Sequence, residues 1–445
     1  MKDMTQGNPT KLIIGFAIPM LIGNIFQQVY NVVDTLVVGR YLGEEALAGV
    51  GSTGTLNFFL LSLVMGLCNG AGLVVAQCFG AKNNKKMKET VVALCWVVGI
   101  LTILISGIGY VFCETFLQLL DVPENVIGYS IEYLQIIFIF LVTAVVYNGT
   151  AAILRSTGDS KTPLYSLVVS CSINVVLDIV FVVELHLGVS GVAYATVIAQ
   201  FVSAMINLVW LLHKRKVIGL VDMNWKPERT SVEMIIKTGF PSAFQSCMIS
   251  LGGMSVQRLI NSFGSSVMAA YVAANRIDSV AIQVIVSIGT ALSVFTGQNM
   301  GTNNFERIRE GLYKTLIMML GASISIAAAV LVFRYQLMGF FLDKNASPEI
   351  LEIGATYLSI IGIAYIIAGI MQSYQNVIRG AGDVNTCMVA GLTELAGRII
   401  FAYLLSATIG VTGIWIATPI SWGCGCVIPV VRYYSGKWKQ KKLIE

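Results

Sequence analysis

The sequence predicts an all-α integral membrane protein of about twelve transmembrane helices, set as two six-helix lobes related by a pseudo-two-fold axis along the membrane normal. Three observations carry this reading: apolar runs of spanning length follow one another along the whole chain, basic residues gather in alternate loops, and the second half repeats the first. Of 445 residues, 56% are hydrophobic and 12% charged, against roughly 25% charged in an ordinary soluble domain. A water-facing surface cannot be built from so few charges.

Crossing roughly 30 Å of hydrocarbon takes about 20 helical residues, and unpaired backbone is too costly in lipid for any open alternative. The first span runs from Ile13 to Val38, too long and too lightly flanked for a cleaved leader. The others fall near 47–79, 90–113, 128–154, 162–184, 188–212, 231–262, 266–298, 311–338, 351–378, 386–408 and 410–431.

A formal charge of +5 could suggest nucleic acid, but the placement of the basic residues points to a lipid bilayer instead and to no nucleic-acid partner. Lys82, Lys85, Lys86 and Lys88 follow span two, Arg155 and Lys161 span four, Lys214 to Arg229 span six, Arg307 and Arg309 span eight, and Arg379 span ten. The tail adds Lys437, Lys439, Lys441 and Lys442. The alternate loops carry Glu114, Asp121 and Glu124, then Glu184, then Asp343 and Glu349 with the single Lys344. By the positive-inside rule both termini are expected in the cytoplasm.

Sliding the chain along itself by about 220 residues exposes an internal repeat. Gly15-Phe16 and Pro19 meet Gly239-Phe240 and Pro241; Gln77-Cys78-Phe79-Gly80 meets Gln298-Asn299-Met300-Gly301. Arg155-Ser156-Thr157-Gly158-Asp159 meets Arg379-Gly380-Ala381-Gly382-Asp383, and Gly188-Val189-Ser190-Gly191 meets Gly410-Val411-Thr412-Gly413. With an even number of spans in each half the repeat is parallel, so a path for cargo is expected where the halves meet. The expected organisation is a lobe over 1–213, a cytoplasmic linker over 214–230, a second lobe over 231–434 and a basic tail over 435–445.

The nine cysteines and two histidines include no pair at zinc or redox spacing, and Cys424-Gly-Cys426 is the closest approach to one. Small residues at helix contacts account for them. No zinc-protease motif, phosphate loop or Gly-x-Ser-x-Gly elbow appears, so neither ATP-driven transport nor hydrolysis has an engine in the sequence. The chain is expected to be no enzyme and to need no cofactor beyond a coupling ion.

Two mid-span acids are the sharpest functional clue, because an ionised carboxylate inside the membrane demands a partner or water. Asp34 lies in span one, with Asn31 and Gln27 on the same helix face; Asp178 lies in span five, one turn after Asn174. Two such stripes can face one cavity, where neighbouring carboxyls titrate as a coupled pair. The competing reading is that both acids only hydrogen-bond neighbouring helices. Pro19, roughly four turns before Asp34, removes a backbone hydrogen bond and permits a kink. In the second half Glu394 and Arg398 stand one turn apart, either as a self-neutralising pair or as lining of the substrate path, and Arg276 with Asp278 invites the same two readings.

These elements resemble the multidrug and toxic compound extrusion (MATE) family, within it the DinF-like or a neighbouring prokaryotic branch. The match rests on Pro19, the stretch Tyr30-Asn31-Val32-Val33-Asp34-Thr35, and the paired Arg155–Asp159 and Arg379–Asp383 loops. The resemblance implies a prokaryotic cell (inner) membrane protein, expected to be monomeric. It also implies antiport of amphipathic or cationic organic compounds against a coupling ion, H+ or Na+. By position it adds Thr196 to Asp34, Asn174 and Asp178 as cation-coupling residues, the same four being the oxygen set for Na+, and Tyr133 to Gln27, Asn31, Glu394 and Arg398 along the substrate path. Another branch carries an acid in span seven; here Ser255 or Val256 stands opposite Asp34, which speaks against a second-lobe cation site of that kind.

Two other functions compete. A flippase for a lipid-linked saccharide, or an exporter of a peptide-like metabolite, would favour extra spans or a cationic cavity built from Arg258, Arg276 and Arg398. A channel or receptor would be expected to show a symmetric pore or a signalling domain.

Overall fold

A computed structural model describes residues 1–120, 122–342 and 347–444; the loop charges Asp121, Asp343 and Lys344 lie outside the described residues. Helices account for the architecture, with no strand among the described residues. The first half holds α1 (Pro9–Tyr41), α2 (Glu44–Gly80), α3 (Asn84–Val111), the short α4 (Cys113–Leu119), α5 (Glu124–Ile139), α6 (Leu141–Ser156), α7 (Lys161–Ile179) and α8 (Gly188–His213). After the one-turn α9 (Arg215–Ile218) come α10 (Arg229–Asn261), α11 (Ser265–Gly301), α12 (Phe305–Phe341), α13 (Pro348–Gly380), α14 (Val384–Ile409) and α15 (Val411–Tyr434).

Ten of these helices are long and apolar enough to cross a membrane, and α5 with α6 forms an eleventh span bent by 53°. The twelfth, α10, has 33 residues but is less apolar than its neighbours. The span expected as one piece over 128–154 is therefore broken. Phe140 leaves the helical conformation (φ −103°, ψ 18°), and its carbonyl accepts from both the Thr143 amide (3.0 Å) and the Thr143 hydroxyl (2.9 Å). A side chain that competes for a backbone carbonyl in this way bends helices.

The chain divides into two compact units. One comprises Met1–Asp3 and Ile22–Ala243, the other Met4–Leu21 and Phe244–Glu445. The division falls inside α10, not in the 214–230 stretch, and inside α1 as well. Packing explains both displacements. The start of α10 crosses α2 at backbone contact: a Cβ on Gly70 would lie 2.4 Å from the Gly239 amide nitrogen, and one on Gly66 would lie 2.4 Å from Ala243 Cα. Leu12, Ile13, Phe16 and Ala17 at the start of α1 are buried in one cluster with Leu292, Phe295 and Ile308. Pro19 and Pro241 each sit just before the point where their helix changes unit, yet α1 and α10 run through them without interruption.

The repeat is visible in the backbone. Positive φ recurs in matched pairs, at Gly43 and Gly264, Lys82 and Asn303, Gly158 and Gly382, and Gly188 and Gly410. The starts of α3 and α12 are capped alike, Asn83 Oδ1 accepting from the Lys86 amide (3.0 Å) and Asn304 Oδ1 from the Arg307 amide (3.1 Å). At the Gly-Asp corners a left-handed glycine turns the chain so that the next residue's carboxylate meets the last long helix of its half. Asp159 Oδ2 accepts from Trp210 Nε1 (3.1 Å) and Asp383 Oδ2 from Arg432 Nε (2.6 Å).

Candidate functional site

The first unit gathers a polar cluster where α1, α5, α7 and α8 meet. Asp178 and Asn174 are fully buried on one face of α7, which gives way immediately after Asp178 to a π-turn over Val180–Glu184. Single π-turns inside helices frequently mark functional positions. Asp34, half-buried on α1, has its carboxyl within hydrogen-bonding reach of Asp178. Neither Asp178 carboxylate oxygen nor Asp34 Oδ1 receives a bond from any N–H or hydroxyl of the described protein, and both polar side-chain atoms of Asn174 are likewise unpaired. Two carboxyl groups bond to each other only when one of them carries a proton, because an ionised carboxylate has nothing to donate.

Three hydroxyls complete the cluster. Tyr30 Oη lies 3.2 Å from Thr196 Oγ1, and Tyr133 is buried beside them. Thr196 and Tyr133 are buried, and both tyrosine hydroxyls lie close enough to Asp34 and Asp178 to sense their charge. The structure places Asp34, Asp178, Asn174 and Thr196 in one cluster, puts Tyr133, expected on the substrate path, beside them, and adds Tyr30. Its signal was available: Tyr30 precedes Asp34 by four residues and shares its helix face. Gln27 and Asn31 do not join the cluster. Both side chains are exposed, and neither hydrogen-bonds a site residue. The stripe they form with Asp34 on one helix is too wide for all of it to face α7.

The oxygens of Asp34, Asp178, Asn174 and Thr196 are compatible with a small cation as well as with a proton. Among the described residues no group of three or more histidine, cysteine, aspartate or glutamate side chains is placed to hold a metal ion.

The second unit satisfies its buried charges in a different way, by an ion pair and by tyrosine hydroxyls. Glu394, buried on α14, accepts from Arg398 Nη2 at 2.8 Å. Of the two readings of Arg276 and Asp278, the self-neutralising pair does not form: two residues apart on α11, they point to different faces. Asp278 instead accepts from Tyr365 Oη at 2.6 Å and Tyr357 Oη at 3.2 Å, both on α13. At the place opposite Asp34, the Ser255 hydroxyl is spent on the Leu251 carbonyl of its own helix (3.0 Å).

Comparison with known proteins agrees with this architecture. The MatE family model matches the chain twice, over residues 19–180 and 241–404, so that Pro19 and Pro241 open the two matches. The probable multidrug resistance protein YoeA of Bacillus subtilis is 30% identical over 442 residues, covering 96% of this chain and 94% of that protein. YpnP, a probable multidrug resistance protein of the same organism, is 29% identical over 443 residues, 99% of this chain and 98% of its own. Among solved structures, MATE in complex with MaL6 superposes with a TM-score of 0.91 at 22% identity, over 98% of this chain and 99% of that one. The outward-facing conformation of a multidrug resistance MATE family transporter of the MOP superfamily gives a TM-score of 0.91 at 23% identity, over 99% of each. Two matches to one family model, one in each half of a helical chain that repeats itself, place the protein: it belongs to the MatE family of membrane transporters.

Proposed function

We propose that the protein exports amphipathic or cationic organic compounds across a prokaryotic cell membrane, in exchange for protons carried by the Asp34–Asp178 pair. The observation that carries the reading is the approach of the two carboxyls in a buried cluster that offers Asp178 no protein donor. A pair of this kind exchanges a proton when water reaches it and holds one when it does not, which is what alternating access requires of a coupling site. Tyr30 and Thr196, bonded to each other through their hydroxyls, and the buried Tyr133 surround the pair without donating to Asp178. The names of the relatives, multidrug resistance proteins in Bacillus subtilis, support organic compounds as cargo. The charge pattern of the loops supports cytoplasmic termini.

Sodium is the second reading, because the unpaired Asn174 Oδ1 and the Thr196 hydroxyl add to the carboxylates as ligands. Ethidium efflux from energised cells tests both, with the parent, Asp34→Asn and Asp178→Asn compared at equal membrane abundance. Proton coupling predicts efflux that a protonophore abolishes and that either substitution removes. Efflux that survives the protonophore but collapses with a sodium ionophore would assign the site to sodium, and unimpaired efflux in both variants would overturn the assignment of the pair.

A further inference from the structure

The buried face of α7 is polar. Thr162, Ser166, Ser170, Asn174 and Asp178, each four residues from the next, account for all of it but Pro163 and Cys171. Across from it, α8 buries Thr196, Ser203 and Asn207. Two bonds fix how the helices pass: Ser170 Oγ donates to the Ala199 carbonyl (2.8 Å), and Trp210 Nε1 donates to Asp159 Oδ2 (3.1 Å). Ser170 stands as far along the chain from Asp159 as Trp210 does from Ala199, so one antiparallel register holds throughout. It sets Asn174 level with Thr196 to within one residue, Ser166 level with Ser203, and Thr162 level with Asn207. A polar seam therefore runs for about 24 Å along α7, from the Asp34–Asp178 cluster to the Gly-Asp corner at Asp159.

Polar side chains at a helix contact often do no more than hold it together. The hydroxyls fit that description: Ser166 Oγ donates to the Pro163 carbonyl (3.0 Å), Ser203 Oγ to the Gln200 carbonyl (2.9 Å) and Thr162 Oγ1 to Asp159 Oδ2 (2.8 Å). The two asparagines do not. Asn174 and Asn207 are fully buried, and neither polar atom of either side chain has a partner among the described residues. They stand near opposite ends of the seam, packed too closely for water in this conformation. A buried amide with nothing to bond gains from water as soon as its helices part enough to admit it. The hydroxyls between them keep lone pairs that accept from such waters. No charged side chain interrupts the seam on α7 between Lys161 and Asp178, or on α8 before His213.

We propose that this seam is the proton route between the Asp34–Asp178 pair and the cytoplasm, closed in the present conformation and opened by water that Asn174 and Asn207 hold in file. The inference rests on the proton reading of the pair. When the seam is wet, the protonated carboxyl gives its proton to the nearest water and is left as a carboxylate. The excess proton hops along the file, each water passing one on as it takes one up. It leaves beside Asp159, on the side that Lys161 and Lys214 mark as cytoplasmic. Dry and closely packed, the same seam conducts nothing, which keeps the pair from opening to both sides of the membrane at once. Asn207 is a positioning residue: it holds water and takes no proton itself.

Proteoliposomes that carry the full chain and enclose pyranine test the route, with proton flux started by adding tetraphenylphosphonium. Asn207→Leu keeps the side-chain volume and removes the unpaired amide. Its unfolding midpoint is expected to stay at or above the parent's while proton flux falls about tenfold or more. The flux that remains is expected to slow in heavy water by a larger factor than the parent's, because proton movement has become the limiting step. Asn207→Ser, smaller and still polar, is expected to restore the rate. Proton flux at the parent rate in Asn207→Leu would overturn the seam and leave the pair's role standing. A flux lost together with the midpoint, and not restored by Asn207→Ser, would likewise overturn it, since a purely structural asparagine behaves that way. Exchange in the parent that follows sodium and moves no protons would instead remove the proton reading of the pair, and the route with it.

Discussion

Replacing Arg398 by methionine separates the two readings of the Glu394–Arg398 pair. At 2.8 Å and an effective dielectric of about 20, the attraction amounts to about 6 kcal/mol, much of it offset by the cost of desolvating both groups. Removing one partner of such a pair leaves the other charge buried alone, a loss of about 3–5 kcal/mol. Glu394 is only 8% exposed, but a buried carboxylate left alone takes up a proton rather than bear the full cost, which sets the expectation at the lower end, about 3 kcal/mol. For a unit of this size that corresponds to a fall of roughly 6–12 °C in the unfolding midpoint. Fluorescence-detected size-exclusion after graded heating would measure it. The double variant Glu394→Gln with Arg398→Met removes both charges and is expected to recover most of the loss, since two well-packed neutral groups replace an ion pair at little cost. A midpoint equal to the parent's in Arg398→Met, or a double variant no better than the single one, would refute the structural role. Reduced efflux at unchanged stability would instead put the pair on the cargo path.

Other expectations follow from contacts of the same quality. Gly70→Ala places a methyl 2.4 Å from the Gly239 amide nitrogen, which is backbone and cannot turn aside, so stability should fall by about 1–3 kcal/mol or more. Gly253→Ala meets nothing and should be neutral or stabilising by up to about 1 kcal/mol in the same heating assay. Tyr30→Phe removes the hydroxyl 3.2 Å from Thr196 and should slow ethidium efflux several-fold for a stability loss of only about 1 kcal/mol; efflux at the parent rate would remove Tyr30 from the site. Asp159→Ala abolishes bonds from the Lys161 and Thr162 amides, the Thr162 hydroxyl and the Trp210 indole, and should cost about 2 kcal/mol or more, read as a lowered midpoint.

Much of this molecule was legible in its sequence because lipid imposes simple rules. Backbone pairing forces helices, hydrocarbon thickness fixes their length, and the scarcity of charge makes Asp34 and Asp178 conspicuous. Their meeting could be anticipated from the spacing of Asn174 and Asp178, but the membership of the cluster could not. Gln27 and Asn31 share a helix face with Asp34 and yet fall outside, whereas Tyr30 on the same helix falls inside, because which part of a face is covered depends on neighbours that sequence spacing does not place. The same limit hid the tyrosines that hold Asp278, which come from α13 some eighty positions later. The unit boundary was missed for a related reason: the charged, loop-like stretch over 214–230 is where composition changes, while the packing changes where small residues let α10 touch α2.

The two Gly-Asp corners bear on how a doubled chain diverges. Both copies have kept the turn and the acid, yet one acid is answered by the indole of Trp210 and the other by the guanidinium of Arg432. The repeat thus preserves where the acceptor points and not the identity of its donor. When relatives are compared, exchanges at positions 210 and 432 that preserve an N–H donor should then read as drift. A relative lacking the aspartate at either corner should carry a compensating change in the helix that faces it.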